Sequence, residues 1–119
     1  MIRIGSQLPD VEVSTSYGTP ALKVRGKAFC RLWGDGEHDR QAADDEEGDV
    51  LVVFVDVAEK RAWIETSDGA LFDRPHYQGQ GAMLVRLDRV DEELLADVLE
   101  QSYRRKAPRT LLRRLDEPA

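Results

Sequence analysis

Six consecutive apolar residues, Val50 to Val55, run unbroken between Asp49 and Asp56. Most of them are β-branched, and a short run of this kind bounded by carboxylates reads as a strand. With no polar position in it, both faces need cover, so this is a central strand of a sheet. A chain of 119 residues can close one layered core around such a strand, and we expect a single domain over residues 1–119.

The next constraint is the stretch from Tyr17 to Trp33. Ala21 to Val24 and Ala28 to Trp33 flank Arg25-Gly26-Lys27, a glycine turn between two strand-forming segments, which is a β-hairpin signal. Its register is open. A two-residue turn puts Leu22 and Val24 on one face with Phe29, Arg31 and Trp33. A three-residue turn puts them with Ala28, Cys30 and Leu32, and a slip of one residue exchanges the two faces.

The remaining elements follow from breakers, caps and periodicity. Met1 to Leu8 makes at most one or two helical turns before Pro9, or an extended arm. Residues Pro9 to Tyr17 are turn-rich, and the first hairpin strand starts after Pro20, which cannot donate to a ladder. Gly34 to Gly48 is an acidic loop. Val57 to Thr66 is a helix with Asp56 as its N-cap, and Ala70 to Asp73 is a short strand. A polar loop, Arg74 to Gly81, leads into the last strand, Ala82 to Leu87. Asp91 caps a final helix whose Leu95, Val98, Leu99 and Ser102 form one stripe, and Leu111, Leu112 and Leu115 follow beyond Pro108. The sum is α+β: a two-layer arrangement with an antiparallel sheet of about five strands and helices mainly on one face.

Net charge is −6, which disfavours a general attraction to nucleic acid, yet it is unevenly spread. Residues 1–34 sum to +3, residues 35–50 to −7, residues 51–102 to −6 and residues 103–119 to +4. Three basic groups of residues are therefore candidates for phosphate contact. Lys23, Arg25, Lys27 and Arg31 lie on or beside the hairpin, where the alternative is a solvated hairpin paired with the acidic loop. Arg104, Arg105, Lys106, Arg109, Arg113 and Arg114 crowd the C-terminal end, where cations also suit a helix terminus. Arg74, His76 and Tyr77, with Arg86 and Gln78 nearby in sequence, form either an anionic-ligand pocket or a base-stacking loop; the alternative packs Pro75 and Tyr77 on the sheet rim.

Asp35, Glu37, Asp39 and Glu46 partly mimic calcium-loop spacing, but Arg40 stands where that loop needs glycine, so no metal is expected. Cys30 has no partner cysteine and lies inside a strand, and His38 and His76 fall in separate loops without a nucleophile motif. No enzyme, cofactor or membrane span is expected, and a reducing cytoplasm suits the single cysteine.

Taken in order, Leu8-Pro9, Tyr17-Gly18-Thr19-Pro20-Ala21, Val24-Arg25-Gly26-Lys27-Ala28-Phe29, Pro75-His76-Tyr77 with Gly79, Leu84-Val85-Arg86-Leu87 and Ala107-Pro108 resemble the MmcQ/YjbR-like family from about Leu8 to Leu112. The resemblance implies a secretion-chaperone-like or frataxin-like α/β domain, and a DNA-binding label founded on a "double-wing" arrangement of β elements. The chain departs from the family in a shortened N-terminal helix and in the acidity of its Gly34 to Gly48 loop. Carried onto these residues, Arg25 to Lys27 and Arg74 to Gln80 are the two wings. Lys23, Arg25, Lys27, Arg31, Arg74, Arg86, Arg104 and Arg105 then serve phosphates, and His76 and Tyr77 make closer contacts. The expected partner is double-stranded DNA and the expected state a monomer. The runner-up is a protein-interaction or small-ligand-binding module, which suits the acidic surface.

Overall fold

The computed structural model describes residues 1–37 and 48–117. The chain forms α1 (Ile2–Gly5), β1 (Val11–Ser16), β2 (Thr19–Val24), β3 (Lys27–Leu32), β4 (Val50–Phe54), α2 (Val57–Glu65), β5 (Leu71–Phe72), a 3₁₀ turn (Pro75–Tyr77), β6 (Ala82–Arg86), α3 (Glu92–Lys106) and α4 (Arg109–Asp116). One antiparallel sheet runs in the order β1-β2-β3-β4-β6-β5, with β4 inside it as its apolar run demands. The sheet has six strands because the stretch read as turn-rich contains β1. Tyr17-Gly18, at φ 52° and 78°, closes a two-residue turn from β1 into β2, and β2 already includes Pro20 opposite Thr15.

The second hairpin settles its register by using both readings. Arg25-Gly26 (φ 50° and 82°) makes a two-residue turn that pairs Val24 with Lys27 and Lys23 with Ala28. The ladder then shifts, so that Leu22 faces Cys30 and Ala21 faces Arg31. Phe29 is the extra residue of a bulge, which is why Phe29 and Cys30, neighbours in sequence, are both buried. Without the bulge Arg31 would share a face with Leu22; with it, Arg31 turns to the opposite face.

Two rows of side chains now define the layers. Val13, Leu22, Cys30, Val53 and Met83 lie across five strands on one face. All but Val13, which is exposed at the β1 edge, join the main core with Phe29, Leu95, Val98, Leu99, Tyr103 and Leu111, under α1, α3 and α4. Gly5 of α1 sits so close to Leu22 that a Cβ there would meet its Cδ1 at 2.3 Å. Asp56 and Asp91 cap α2 and α3, accepting from the N–H groups of Ala58 and Leu94 at 2.9 and 2.7 Å. Buried Ser102 of α3 donates to the carbonyl of Phe29 in the bulge and accepts from the N–H of Phe54 at 2.8 Å.

The opposite row reads Ser14, Ala21, Arg31, Val52, Leu84 and Phe72. Over β4, β5 and β6 this outer face is covered by a second apolar cluster of Trp33, Val50, Val52, Phe72, Tyr77, Ala82 and Leu84. The second face of β4 is thus sealed by aromatics from loops. Among the described residues no helix is long and apolar enough to cross a membrane.

Candidate functional site

Most of the residues nominated from sequence fall into two separate places. The first is the outer face beside Trp33. Arg31 donates from Nη1 and Nη2 to the two carboxylate oxygens of Glu37 at 2.6 and 2.8 Å, a bidentate pair with both side chains less than a fifth exposed. The Gly34 N–H donates to the same carboxylate at 3.1 Å. Tyr77 Oη donates to it at 3.3 Å while accepting from Trp33 Nε1 at 3.2 Å. These donors, the guanidinium first, hold the Glu37 carboxyl below its usual value, and burial pushes the Tyr77 phenol up. The exposed ring of Tyr17, on the β1–β2 turn, stands over the Arg31 guanidinium at 5.4 Å. Tyr17, Thr19, Arg31, Glu37 and His76 line an open groove of about 540 Å³.

Loop 74–80 is pinned to this face by a residue the sequence reading passed over. Lys60 of α2, only 5% exposed, donates from Nζ to the carbonyls of Tyr77 (2.8 Å) and Gln80 (3.2 Å) and pairs with Asp73 at 3.0 Å. A buried lysine finds such acceptors or is neutralised, so the sequence signal was a lysine at a core-facing helical position. Tyr77 is itself only 5% exposed and packs in the second cluster, as the rim-packing alternative has it, whereas Pro75 is exposed; a base has no open ring face at Tyr77 on which to stack. His76 stays exposed. Arg74 and Arg86 both stack over Phe72, at 4.7 and 3.9 Å from the ring centre, and Arg86 also donates to the Gly69 carbonyl at 2.8 Å.

The second place is the corner at the β2–β3 turn. Arg25 pairs with Asp10 at 2.9 Å, and Arg114 of α4 reaches the other oxygen of the same carboxylate at 3.4 Å. The basic hairpin and the basic C-terminal segment therefore meet around Asp10, which sits in a positive-φ corner before β1. Lys27 is exposed beside Arg25; Lys23 points to the outer face opposite Glu12. Arg104 is committed elsewhere, bridging α3 to Asp116 of α4 at 2.5 Å, and Arg105 lies exposed along α3.

The two wings expected from the resemblance do not converge. Loop 74–80 presents His76 to the groove at the Tyr17 end of β2, whereas Arg25-Gly26 lies at its other end, about 20 Å away across six strand residues. As for the calcium reading, Glu37 is turned into Arg31; Asp39 and Glu46, like His38, lie outside the described residues, among which no cluster of three or more His, Cys, Asp or Glu could hold a metal ion. Cys30 is fully buried and its thiol is pushed up to about 12 by burial, so it is no nucleophile in the folded chain.

None of the curated proteins matches this chain. Among solved structures, a crystal structure of a protein from Pseudomonas syringae, a Northeast Structural Genomics Consortium target, is similar at a TM-score of 0.66 and 11% identity. The similarity covers 88% of this chain and 94% of that one, and at such identity it speaks for the fold. The family model YjbR matches residues 6–105, from the end of α1 through most of α3. The chain belongs to the YjbR family.

Proposed function

We propose that this domain acts by binding, not catalysis, and that its ligand is the phosphate backbone of duplex DNA, engaged at the corner of Arg25, Lys27 and Arg114. The observation that carries the reading is the convergence of Arg25 and Arg114 on one carboxylate, Asp10, which brings together basic segments 89 residues apart in sequence. Gly26 in the tight turn leaves the tip slim enough to approach a groove, with nothing within 4 Å of where a Cβ would stand. The contacts are electrostatic and carry no base sequence. Asp10 opposes them, and so does the acidic remainder of the chain.

The test is anisotropy of a labelled random duplex titrated over a salt series. Three phosphate contacts give a log–log slope of about −2.7, and Arg25→Ala with Lys27→Ala brings it to about −1. Asp10→Asn frees two arginines and tightens binding. Absence of binding at low salt, or a slope unmoved by the double substitution, refutes the reading.

The groove supports a second reading, a small-ligand or peptide site. Its favouring observation is Tyr17, whose ring is 91% exposed above the Arg31–Glu37 pair. Because that pair is internally neutralised, a ligand there would be held by stacking and hydrogen bonds with weak salt dependence. Amide shifts of Tyr17, Thr19 and His76 in a fragment titration, with the DNA corner silent, are its signature.

A further inference from the structure

The free edge of β1 lacks the devices that keep sheet edges from pairing. It runs six residues, Val11 to Ser16, in unbroken register with β2, without proline, lysine or bulge, and its only charge is Glu12. The other edge of the sheet, β5, is two residues long. Of the four large hydrophobics exposed among the described residues, two lie on the helical side of this edge: Val13 (55%) on β1, and Ile2 on α1, which packs over Leu22, the ladder partner of Val13.

We propose that β1 pairs antiparallel with β1 of a second copy, joining two sheets into one of twelve strands. The geometry selects the register. A two-fold axis normal to the sheet keeps the helical layers of both copies on one side, so a residue must face itself or a residue an even number of positions away. Centring on Glu12 would set two carboxylates opposite each other, which is destabilising. Centring on Val13 stacks the two exposed valines on the helical face and sets Glu12 against Ser14 of the other copy. That register covers the apolar surface and opposes no like charges. An edge contact of this length falls at the small end of specific interfaces, so the dimer is weak and depends on concentration. The inference is independent of the DNA corner.

Sedimentation equilibrium over a wide concentration range reads the result first. The apparent mass climbs from the monomer value of 13.5 kDa toward the dimer, and Val13→Lys, at a solvent-exposed position, holds it at the monomer. Disulfide trapping then reads the register. Val13→Cys accumulates a linked dimer, Glu12→Cys alone does not, and Glu12→Cys mixed with Ser14→Cys does; the native Cys30 is buried and silent. A wild-type chain that stays monomeric throughout, or Val13→Cys linking no faster than Tyr17→Cys, overturns the proposal. A β1 that is monomeric alone but protected on adding a strand-forming peptide assigns the edge to a foreign strand and equally overturns it.

Discussion

Ser102→Ala tests the link between the bulge and the placement of Arg31. The substitution removes one hydroxyl, but that hydroxyl serves two backbone groups from different strands: it donates to the Phe29 carbonyl and accepts from the Phe54 N–H. Ser102 is 0% exposed, so water does not replace the lost partner at once. An orphaned buried polar group costs about 1–3 kcal/mol, and since the Phe54 N–H is only partly buried the two together cost about 2–5 kcal/mol, while the alanine methyl recovers little. For a domain whose whole stability is on the order of 5–15 kcal/mol, that is a large fraction. Thermal melting by circular dichroism should fall by roughly 8–20 °C at about 4 °C per kcal/mol, and urea titration should shift its midpoint without changing the slope. Amide exchange at Phe54 should lose protection selectively, because its acceptor is gone. A loss below about 1 kcal/mol would mean that the bulge is held by strand packing and that the hydroxyl bridge is incidental.

Three further outcomes follow from the same contacts. Glu37→Gln leaves Arg31 at 15% exposure with a neutral partner and should cost about 2–3 kcal/mol, less than a fully buried pair. Because the Glu37 carboxyl titrates below its ordinary 4.5 in the folded chain, its contribution is complete above that pH and lost as pH falls through the lower folded value; the variant should flatten that acid limb in a pH series of melts, and an unchanged limb refutes the pairing. Lys60→Met should release amides 76–80 to fast exchange while sparing β4 and β6; unaltered protection would show that the 3₁₀ turn holds itself. Cys30 should resist a thiol reagent in native buffer and react on unfolding, and rapid native labelling would contradict its burial.

What was legible in the sequence was whatever depended on local chemistry. The run Val50 to Val55 identified the central strand, and Asp56 and Asp91 announced the caps they form. The first strand is hidden in the sequence because the stretch Pro9 to Tyr17 reads as turn-rich and Pro20 as a strand breaker, whereas Tyr17-Gly18 adopts the positive-φ pair of a tight hairpin and Pro20 falls near the beginning of β2. The bulge at Phe29 was invisible for a different reason: its stabiliser, Ser102, lies 73 residues away and reads locally only as a polar member of a helical stripe. That one-residue insertion decides which face Arg31 takes, and so whether it joins the hairpin's cations or the Glu37–Tyr77–Trp33 network. A basic residue in a strand therefore has no assignable role until its register is known, and here long-range hydrogen bonding sets the register. The same holds at Asp10, which looked like a turn residue until folding brought Arg25 and Arg114 to it. Composition placed positive charge at both ends of the chain; only the fold, which brings Arg114 of α4 to within 3.4 Å of Asp10 at the corner before β1, makes those ends one surface, and it is that surface whose affinity for phosphate can be measured.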